Sequence, residues 1–419
     1  MSQKLAINGG PKAVPDETVK AWPPIDDIDR KMVMASLEGG KHAFGPNGKA
    51  FQDEFAAWNG NKYSITTNSG TAALHMGLAA CDVGAGDQVI VTSYSWSSSA
   101  TCILHHNAIP VFVDVNWDTM NMDEDKIEAA ITPKTKAIVA VHLHGLPMNM
   151  EKVMAVAKKH NLKVVEDACQ AHGAKWAGRK VGTWGHCAAF SFNQNKCLCS
   201  GEGGMFVTDD QDILKKATQL WSFGETRTPL ESRDYHAYAL GWMYRNNDLT
   251  AAFGRAQLSK LDGYQATLKA NATRLTECLK DVPHLILPKQ PRGAEHNWYN
   301  YTMRFDMKAL GHEQDASAFR DRLVKALLAE GVQTGVWQKF ILPAMTVFKA
   351  KNGYGQGCPW SCHHAEPVDY SLEQYPVAQK HSDWHTGMTM PLRAPNGPEV
   401  AEVTAAGIRK VMENVKQIP

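Results

Sequence analysis

Apolar and polar positions along the chain follow two periods, and the switches between them mark out short elements. Apolar, β-branched runs at Tyr63 to Thr67, Gln88 to Thr92, Pro110 to Val115, Ala137 to His142 and Leu162 to Glu166 predict strands. Between and around them, Ser69 to Ala80, Ala100 to His106, Lys126 to Ile131 and Met150 to His160 carry helix-compatible spacing. This alternation argues an α/β fold with a doubly wound, mostly parallel sheet. Asp27 to Leu37 reads as a first helix, after a polar, Pro-rich opening to Pro24 that reads as an arm laid over the surface. From Asp248 to Leu279 the sequence is helix-compatible with one interruption, Gly263, where a large domain would join a small one. Tyr299 to Phe305 then alternates like a strand, Ala316 to Glu330 is amphipathic, and Glu399 to Val415 closes the chain as a helix. The expected organisation is an arm over 1–24, a large domain over 25–262 and a small C-terminal domain over 263–419. Trp337 to Tyr370, irregular and rich in Gly, Pro, Trp and His, is expected to be an ordered loop near a substrate mouth.

Charge then narrows the partners. The 419 residues hold 44 Lys+Arg against 43 Asp+Glu, and no basic run offers a footprint for nucleic acid or a membrane surface. No apolar stretch reaches the roughly 18 residues needed to span a bilayer, and the opening lacks the apolar segment of a signal peptide. The expectation is a cytoplasmic protein acting on small molecules. Nine cysteines, some inside apolar runs such as Cys81, Cys169 and Cys187, are too few and too irregular for a disulfide scaffold and read as reduced thiols.

Three constellations could carry chemistry. Thr67-Asn68-Ser69-Gly70-Thr71 lies where a strand gives way to a helix; the free N–H groups of the first turn and the Ser69 and Thr71 hydroxyls would cup a phosphate, or simply cap a helix. The spacing of Gly40 to Lys49 does not make a Walker A loop. Glu166-Asp167 ends a hydrophobic strand, where an acid can serve a metal, a ribose or a protonated ring nitrogen. Ser191 ends another strand, and Lys196 follows in a polar loop ahead of Gly201, Gly203 and Gly204. Enclosure between hydrophobic segments would favour the neutral amine that forms a Schiff base. Together the three sites ask for a phosphate, a basic ring nitrogen and an aldehyde in one ligand, which pyridoxal 5′-phosphate satisfies. Trp96, just past a strand end, could stack on its ring or pack in the core.

In these motifs the chain resembles the DegT/DnrJ/StrS sugar aminotransferases, which share the fold-type I architecture of pyridoxal-phosphate enzymes. The resemblance covers nearly the whole chain. It is carried by Trp22-Pro23-Pro24, Ser69-Gly70-Thr71-Ala72-Ala73-Leu74, Phe112-Val113-Asp114-Val115, Val141-His142-Leu143-His144-Gly145, Glu166-Asp167-Ala168, and Phe190-Ser191-Phe192 followed by Lys196 and Gly201-Glu202-Gly203-Gly204. It implies that Lys196 holds the cofactor covalently, that Asp167 pairs with its ring nitrogen, and that Gln170 lies near its phenolic oxygen. Ser191, Gly70 and Thr71 would bind its phosphate, and Trp96 would stack on the ring. Family members with histidine at the lysine position are dehydratases, so Lys196 favours transamination over dehydration, epimerisation or a non-catalytic regulatory role. The resemblance further implies a homodimer, with glutamine or glutamate as amino donor and a keto-sugar or cyclitol as acceptor.

Two departures stand out. The family's Gly-Tyr-Asn-x-Arg reads Gly241-Trp242-Met243-Tyr244-Arg245 here, so Asn246 or Arg245 would have to replace an asparagine that reaches the neighbouring subunit's phosphate. The usual His-Tyr after Gly331-Val332-Gln333-Thr334 is replaced by Trp337-Gln338. With the opening Leu5 to Pro11 and the stretch Gly357 to Cys362, these resemble the family's branch of L-glutamine:scyllo-inosose aminotransferases, and favour a free cyclitol or sugar ketone over a nucleotide-linked one. Cys358, Cys362, His363 and His364 are too closely adjacent for a tetrahedral metal site and read as local packing.

Overall fold

A computed structural model describes residues 4–226 and 235–419, so residues 1–3 of the expected arm lie outside the described residues. The first half runs α1 (Asp27–Glu38), α2 (Pro46–Asn59), β1 (Tyr63–Thr67), α3 (Gly70–Ala80), β2 (Gln88–Thr92), α4 (Ser98–Leu104), β3 (Ile109–Val113), β4 (Thr135–Val141), α5 (Met150–Lys159) and β5 (Lys163–Asp167). Two short strands, β6 (Lys175–Trp176) and β7 (Arg179–Lys180), precede β8 (Cys187–Ser191), β9 (Gly204–Thr208) and α6 (Gln211–Trp221). The second half holds α7 (Asp248–Leu258), α8 (Leu261–Leu279), β10 (Leu285–Ile286), β11 (Ala294–Glu295), β12 (Tyr301–Phe305), α9 (Met307–Leu310), α10 (Ala316–Ala329), α11 (Thr346–Lys349), α12 (Pro376–Trp384), β13 (His385–Met388) and α13 (Pro398–Glu413).

Seven strands form the main sheet in the order β1-β9-β8-β5-β4-β2-β3, with β9 antiparallel to both neighbours. The links β8-β5-β4-β2-β3 are all parallel, as the strand–helix alternation predicts. Strands β2, β8 and β9 are buried at every position, which fits a sheet covered by helices on both faces. Helix α3 lies close on it because of Gly77: a Cβ there would sit 3.1 Å from Val165 Cγ1 and 3.2 Å from Cys187 Sγ. A separate antiparallel sheet, β10-β12-β13, belongs to the C-terminal half.

Three expectations need correction. Lys126 to Ile131 is not one helix but two short 3₁₀ turns, Glu124–Lys126 and Glu128–Ala130, with Asp123 capping the first. The long helical stretch breaks at Ser259–Lys260 rather than at Gly263, which lies inside α8 with open space beside it, so the helix carries it at the usual cost of about 1 kcal/mol. The opening arm is not simply laid on the surface. Leu5 is buried, and the buried Glu330 carboxylate accepts from the Ala6 and Ala13 N–H groups (2.7 and 3.0 Å) and pairs with Lys410 at 2.9 Å.

Candidate active site

The carboxyl ends of β1, β5 and β8 converge on a cavity of about 370 Å³. It is lined by Ser69, Gly70, Thr71, Trp96, Asp167, Gln170, Ser191 and Lys196, every residue proposed from sequence except Asn246. Seven further residues line it: Ser98, Cys169, Asn193, Asn195, Glu202, Tyr299 and Trp337. Glu202 was within reach of sequence reasoning, inside the glycine cluster after Lys196. Tyr299 and Trp337 come from the C-terminal half; the loop that opens at Trp337 was expected near a substrate mouth, whereas nothing adjacent to Tyr299 in the chain signals the cavity.

On one side of the cavity, the turn from β1 into α3 supplies donors. Ser69 is the N-cap, its Oγ accepting from Ala72 N–H at 3.1 Å, which leaves its hydroxyl proton and the first-turn N–H groups to face a ligand at the positive end of the helix dipole. Two glycines let the turn sit against the neighbouring strand ends. A Cβ on Gly70 would lie 2.7 Å from Ser191 Cβ and 2.8 Å from Cys169 Sγ, and one on Gly204 would lie 2.5 Å from the Ser69 carbonyl. The close approach brings Ser191 into the same cup.

Glu166 and Asp167 are neighbours on β5, and strand geometry sends them to opposite faces. Glu166, fully buried away from the cavity, accepts from the N–H groups of Gly182, Trp184 and Gly185 (2.7 to 2.8 Å) and pairs with His142 Nε2 at 3.0 Å. Met148 N–H donates to His142 Nδ1 at 3.1 Å, which leaves Nε2 as the ring's donor to Glu166. Asp167, 6% exposed, faces the cavity. Its Oδ2 accepts from Ser99 Oγ at 2.7 Å and its Oδ1 from Cys169 N–H at 3.2 Å, while Ser99 is itself braced by Ser95 at 2.8 Å. Orientation is thereby fixed with acceptor capacity to spare.

Lys196 sits in the tight loop between β8 and β9. Phe192 N–H donates to Gly203 O and Gln194 N–H to Gly201 O, both at 2.8 Å, with Gly201 at φ +84° and Gly203 at φ +156°. Asn193 is the clip: its carbonyl accepts from Lys196 N–H at 2.8 Å, its Oδ1 from Asn195 N–H at 3.1 Å, and its Nδ2 donates to Glu202 at 2.8 Å. Buried Arg393 donates to Asn195 O at 2.6 Å, between the rings of Trp22 and Tyr299. The lysine is only half-buried, not enclosed by the flanking apolar segments as the sequence suggested, and its Nζ lies 4.7 Å from the centre of the Tyr299 ring.

The imidazoles and the thiol nearest the lysine are held neutral. Burial, with the Lys196 charge adding to it, pushes His172 down to about 3. Burial, followed by the charges of His385, His296 and Lys196, holds His144 well below the ordinary imidazole value. Burial, then the Asp167 carboxylate, raises the Cys169 thiol. Gln170 Oε1 accepts from His144 N–H at 2.7 Å, which leaves the amide NH₂ as the donor end of a residue lining the cavity.

Asn246 is not brought to this cavity. It is buried beside Gly203, its Oδ1 accepting from Thr250 Oγ1 at 2.5 Å and Asn247 N–H at 2.9 Å. Of the loop Trp337 to Tyr370, only Trp337 lines the cavity; Phe348 and Tyr370 pack on Phe112 of β3, Tyr370 OH donates to Pro110 O at 2.6 Å, and Tyr354 OH donates to Leu104 O at 2.9 Å at the end of α4. That loop is a brace for the sheet edge, because its aromatic residues find apolar partners there.

Comparison with known proteins agrees with this geometry. Residues 23–376 match the family model described as DegT/DnrJ/EryC1/StrS aminotransferase family. A relative from Streptoalloteichus tenebrarius, provisionally named L-glutamine:3-amino-2,3-dideoxy-scyllo-inosose aminotransferase, is 36% identical over 80% of each chain. The UDP-N-acetyl-3-dehydro-alpha-D-glucosamine 3-aminotransferase of Acidithiobacillus ferrooxidans is 34% identical over 87% of this chain and 93% of its own. Among solved structures, 3-amino-5-hydroxybenzoic acid synthase superposes with a TM-score of 0.83 at 27% identity, over 94% of this chain and 98% of that one. On the family match, the level of identity and the shared fold, this chain is an aminotransferase that belongs to the DegT/DnrJ/EryC1/StrS family.

Proposed function

We propose that the protein is a pyridoxal-phosphate-dependent aminotransferase that moves the amino group of glutamine or glutamate to a ketone of a cyclitol or sugar. The observation that carries this reading is the convergence of Lys196, Asp167, Gln170 and the Ser69–Thr71/Ser191 cup on one cavity at the sheet's carboxyl edge. The donor set fits the cofactor: hydroxyl and backbone donors for a phosphate, a half-satisfied buried carboxylate for a protonated ring nitrogen, an amide NH₂ for a ring oxygen and an amine for the aldehyde. When bound, the cofactor supplies an electron sink for negative charge at the donor's α-carbon. Asp167 holds a proton on the ring nitrogen by its charge, braced by Ser99 and Cys169 N–H. Lys196 Nζ takes the α-proton of the donor as general base and delivers a proton as general acid.

The acceptor we infer is a free cyclitol or sugar ketone. Among the described residues Lys196 is the sole cation lining the cavity, and no arginine lines it for bidentate capture of a diphosphate. The deciding experiment follows ¹⁵N from α-amino-labelled glutamine into scyllo-inosose and into nucleotide-linked ketones. Transfer to scyllo-inosose supports the reading; efficient transfer to nucleotide-linked ketones alone overturns it.

Three further proposals accompany this reading. A homodimer is supported by Trp96, 54% exposed at the cavity, and by exposed Phe223, Tyr238, Leu240 and Met243, whose segment pairs with the cavity rim through Tyr244 O and Asn68 N–H. A fully active, cofactor-loaded monomer in sedimentation would refute it. The division into arm 1–24, large domain 25–262 and small domain 263–419 is supported by the seven-stranded sheet, whose strands all fall within 25–262, and the β10-β12-β13 sheet, whose strands all fall within 263–419, while a third sheet, β11-β6-β7, joins the two. A cytoplasmic location accords with the absence, among the described residues, of any helix long and apolar enough to cross a membrane.

A further inference from the structure

A second recess, of about 480 Å³, shares Trp337 with the cavity above. Its walls are the segment Gln333–Trp337, which pairs with β13 through reciprocal Gly335–Gly387 hydrogen bonds of 2.9 and 3.0 Å, together with Asn300 and the turn after β13. Among the described residues no charged side chain lines it. Asn300 is the unusual member. Only 3% exposed, it sets its Nδ2 3.2 Å from His144 Nδ1, while its buried Oδ1 has no hydrogen-bond partner. An amide oxygen left without a donor in such a place costs about 1–3 kcal/mol, which a hydroxyl that donates to it would recover. The amide packs closely against Gly387, where a Cβ would fall 2.6 Å from that oxygen. His144 links the two recesses: its N–H holds Gln170 at the first, its ring meets Asn300 at the second, and it stands edge-on to Trp337 with ring centres 4.9 Å apart. It is kept in the left-handed region, φ +57°, a conformation rare for a residue other than glycine.

We propose that this second recess binds the part of the ketone acceptor remote from the reacting carbonyl, as an uncharged polyhydroxylated ring that donates a hydroxyl to Asn300 Oδ1 and lays its carbon face on Trp337. A neutral, partly apolar wall with one buried acceptor suits a polyol and offers nothing to a diphosphate. The assignment rests on the aminotransferase reading, and its test separates the two.

Calorimetry of the holoenzyme with scyllo-inositol, a polyol without a ketone, measures the recess directly. Single-turnover absorbance with glutamine alone, and then with scyllo-inosose, measures each half of the reaction. Asn300→Leu is expected to weaken scyllo-inositol binding and to lower kcat/KM for scyllo-inosose at least tenfold through KM, with the glutamine half-reaction within twofold of the unaltered enzyme. Gln333→Trp, at an exposed position that leaves the core untouched, is expected to do the same by filling the recess. Unchanged polyol binding and unchanged ketone turnover in both variants would overturn the proposal, as would an equal fall in the glutamine half-reaction. If the unaltered enzyme transfers no amino group from any donor, the aminotransferase reading fails, while the polyol titration still decides the recess.

Discussion

The two recesses that share Trp337 are made from different material. The first stands on the carboxyl edge of a mostly parallel sheet and carries the charges: Asp167, Lys196 and Glu202. The second is walled by an antiparallel edge and loops of the C-terminal half and is lined, among the described residues, by uncharged groups alone. Groups that move protons and hold a charged ring must be fixed to rigid strand ends, where neighbours such as Ser99 and Asn193 lock their orientation. A surface that only recognises hydroxyls and carbon faces needs no charge. The division of labour between chemistry and fit follows a division in architecture.

The largest expected effect is confined to the first recess. Lys196→Ala should abolish turnover, by about a thousandfold or more, while leaving the melting temperature and scyllo-inositol binding in place, since the side chain is half-buried and packs into no core. Substantial steady-state activity in that variant would break the comparison. Next comes the scaffold behind the sheet edge. Glu166→Ala strands three backbone N–H groups and His142, and should cost about 3–5 kcal/mol of stability in denaturant unfolding. Its immediate neighbour behaves differently. Asp167→Asn should keep near-normal stability yet lower kcat/KM about a hundredfold, some 2.7 kcal/mol, because a neutral amide cannot hold the ring proton. A loss under about tenfold would mean that another acid does so. Asn193→Ala, which loosens the clip on the lysine turn, should cost about 1 kcal/mol, read as a fall of up to about tenfold in kcat with KM for the ketone unchanged.

The last effect, spread over several buried groups, is a pH dependence of stability. His172 and His296 are buried with values lowered to about 3, and His385 to about 4, against 6.5 when unfolded. Depressed values mean that the unfolded chain binds more protons below 6.5, so their contribution is fully present above that pH and is lost as pH falls towards 4. The melting temperature should therefore be flat above about pH 7 and decline below 6.5, and His172→Leu should flatten the decline. An unchanged slope in that variant would remove His172 from the account.

Much of the first recess was legible in the chain because its parts are local: a strand end followed by a capped helix at Ser69, an acid at the end of an apolar strand, a lysine ahead of clustered glycines. Which of Glu166 and Asp167 faces the cavity came only from the family resemblance, because alternation tells that they part but not which face is covered. Asn246, expected to serve a neighbouring subunit's phosphate, takes Thr250 and Asn247 as partners within its own chain, which a polar run does not foretell. Gly263 misled: glycine signals a break only where caps and neighbours agree, and α8 simply runs through it. Of the second recess only Gln333–Trp337 drew notice in the chain, because Asn300 and Gly387–Met390 meet that segment only through strand pairing across the C-terminal half. The irregular loop after Trp337 looked functional by composition and is largely a structural brace.

The central claim is that Lys196 is the residue that holds the cofactor and moves the proton. Reduction of the pyridoxal-phosphate-loaded protein with borohydride, followed by peptide mapping, tests it in one step. A pyridoxyl group found on the peptide containing Lys196, and lost when glutamine is added before reduction, is the result this account predicts. A label on any other lysine, or none on a protein that still transfers amino groups, would contradict it.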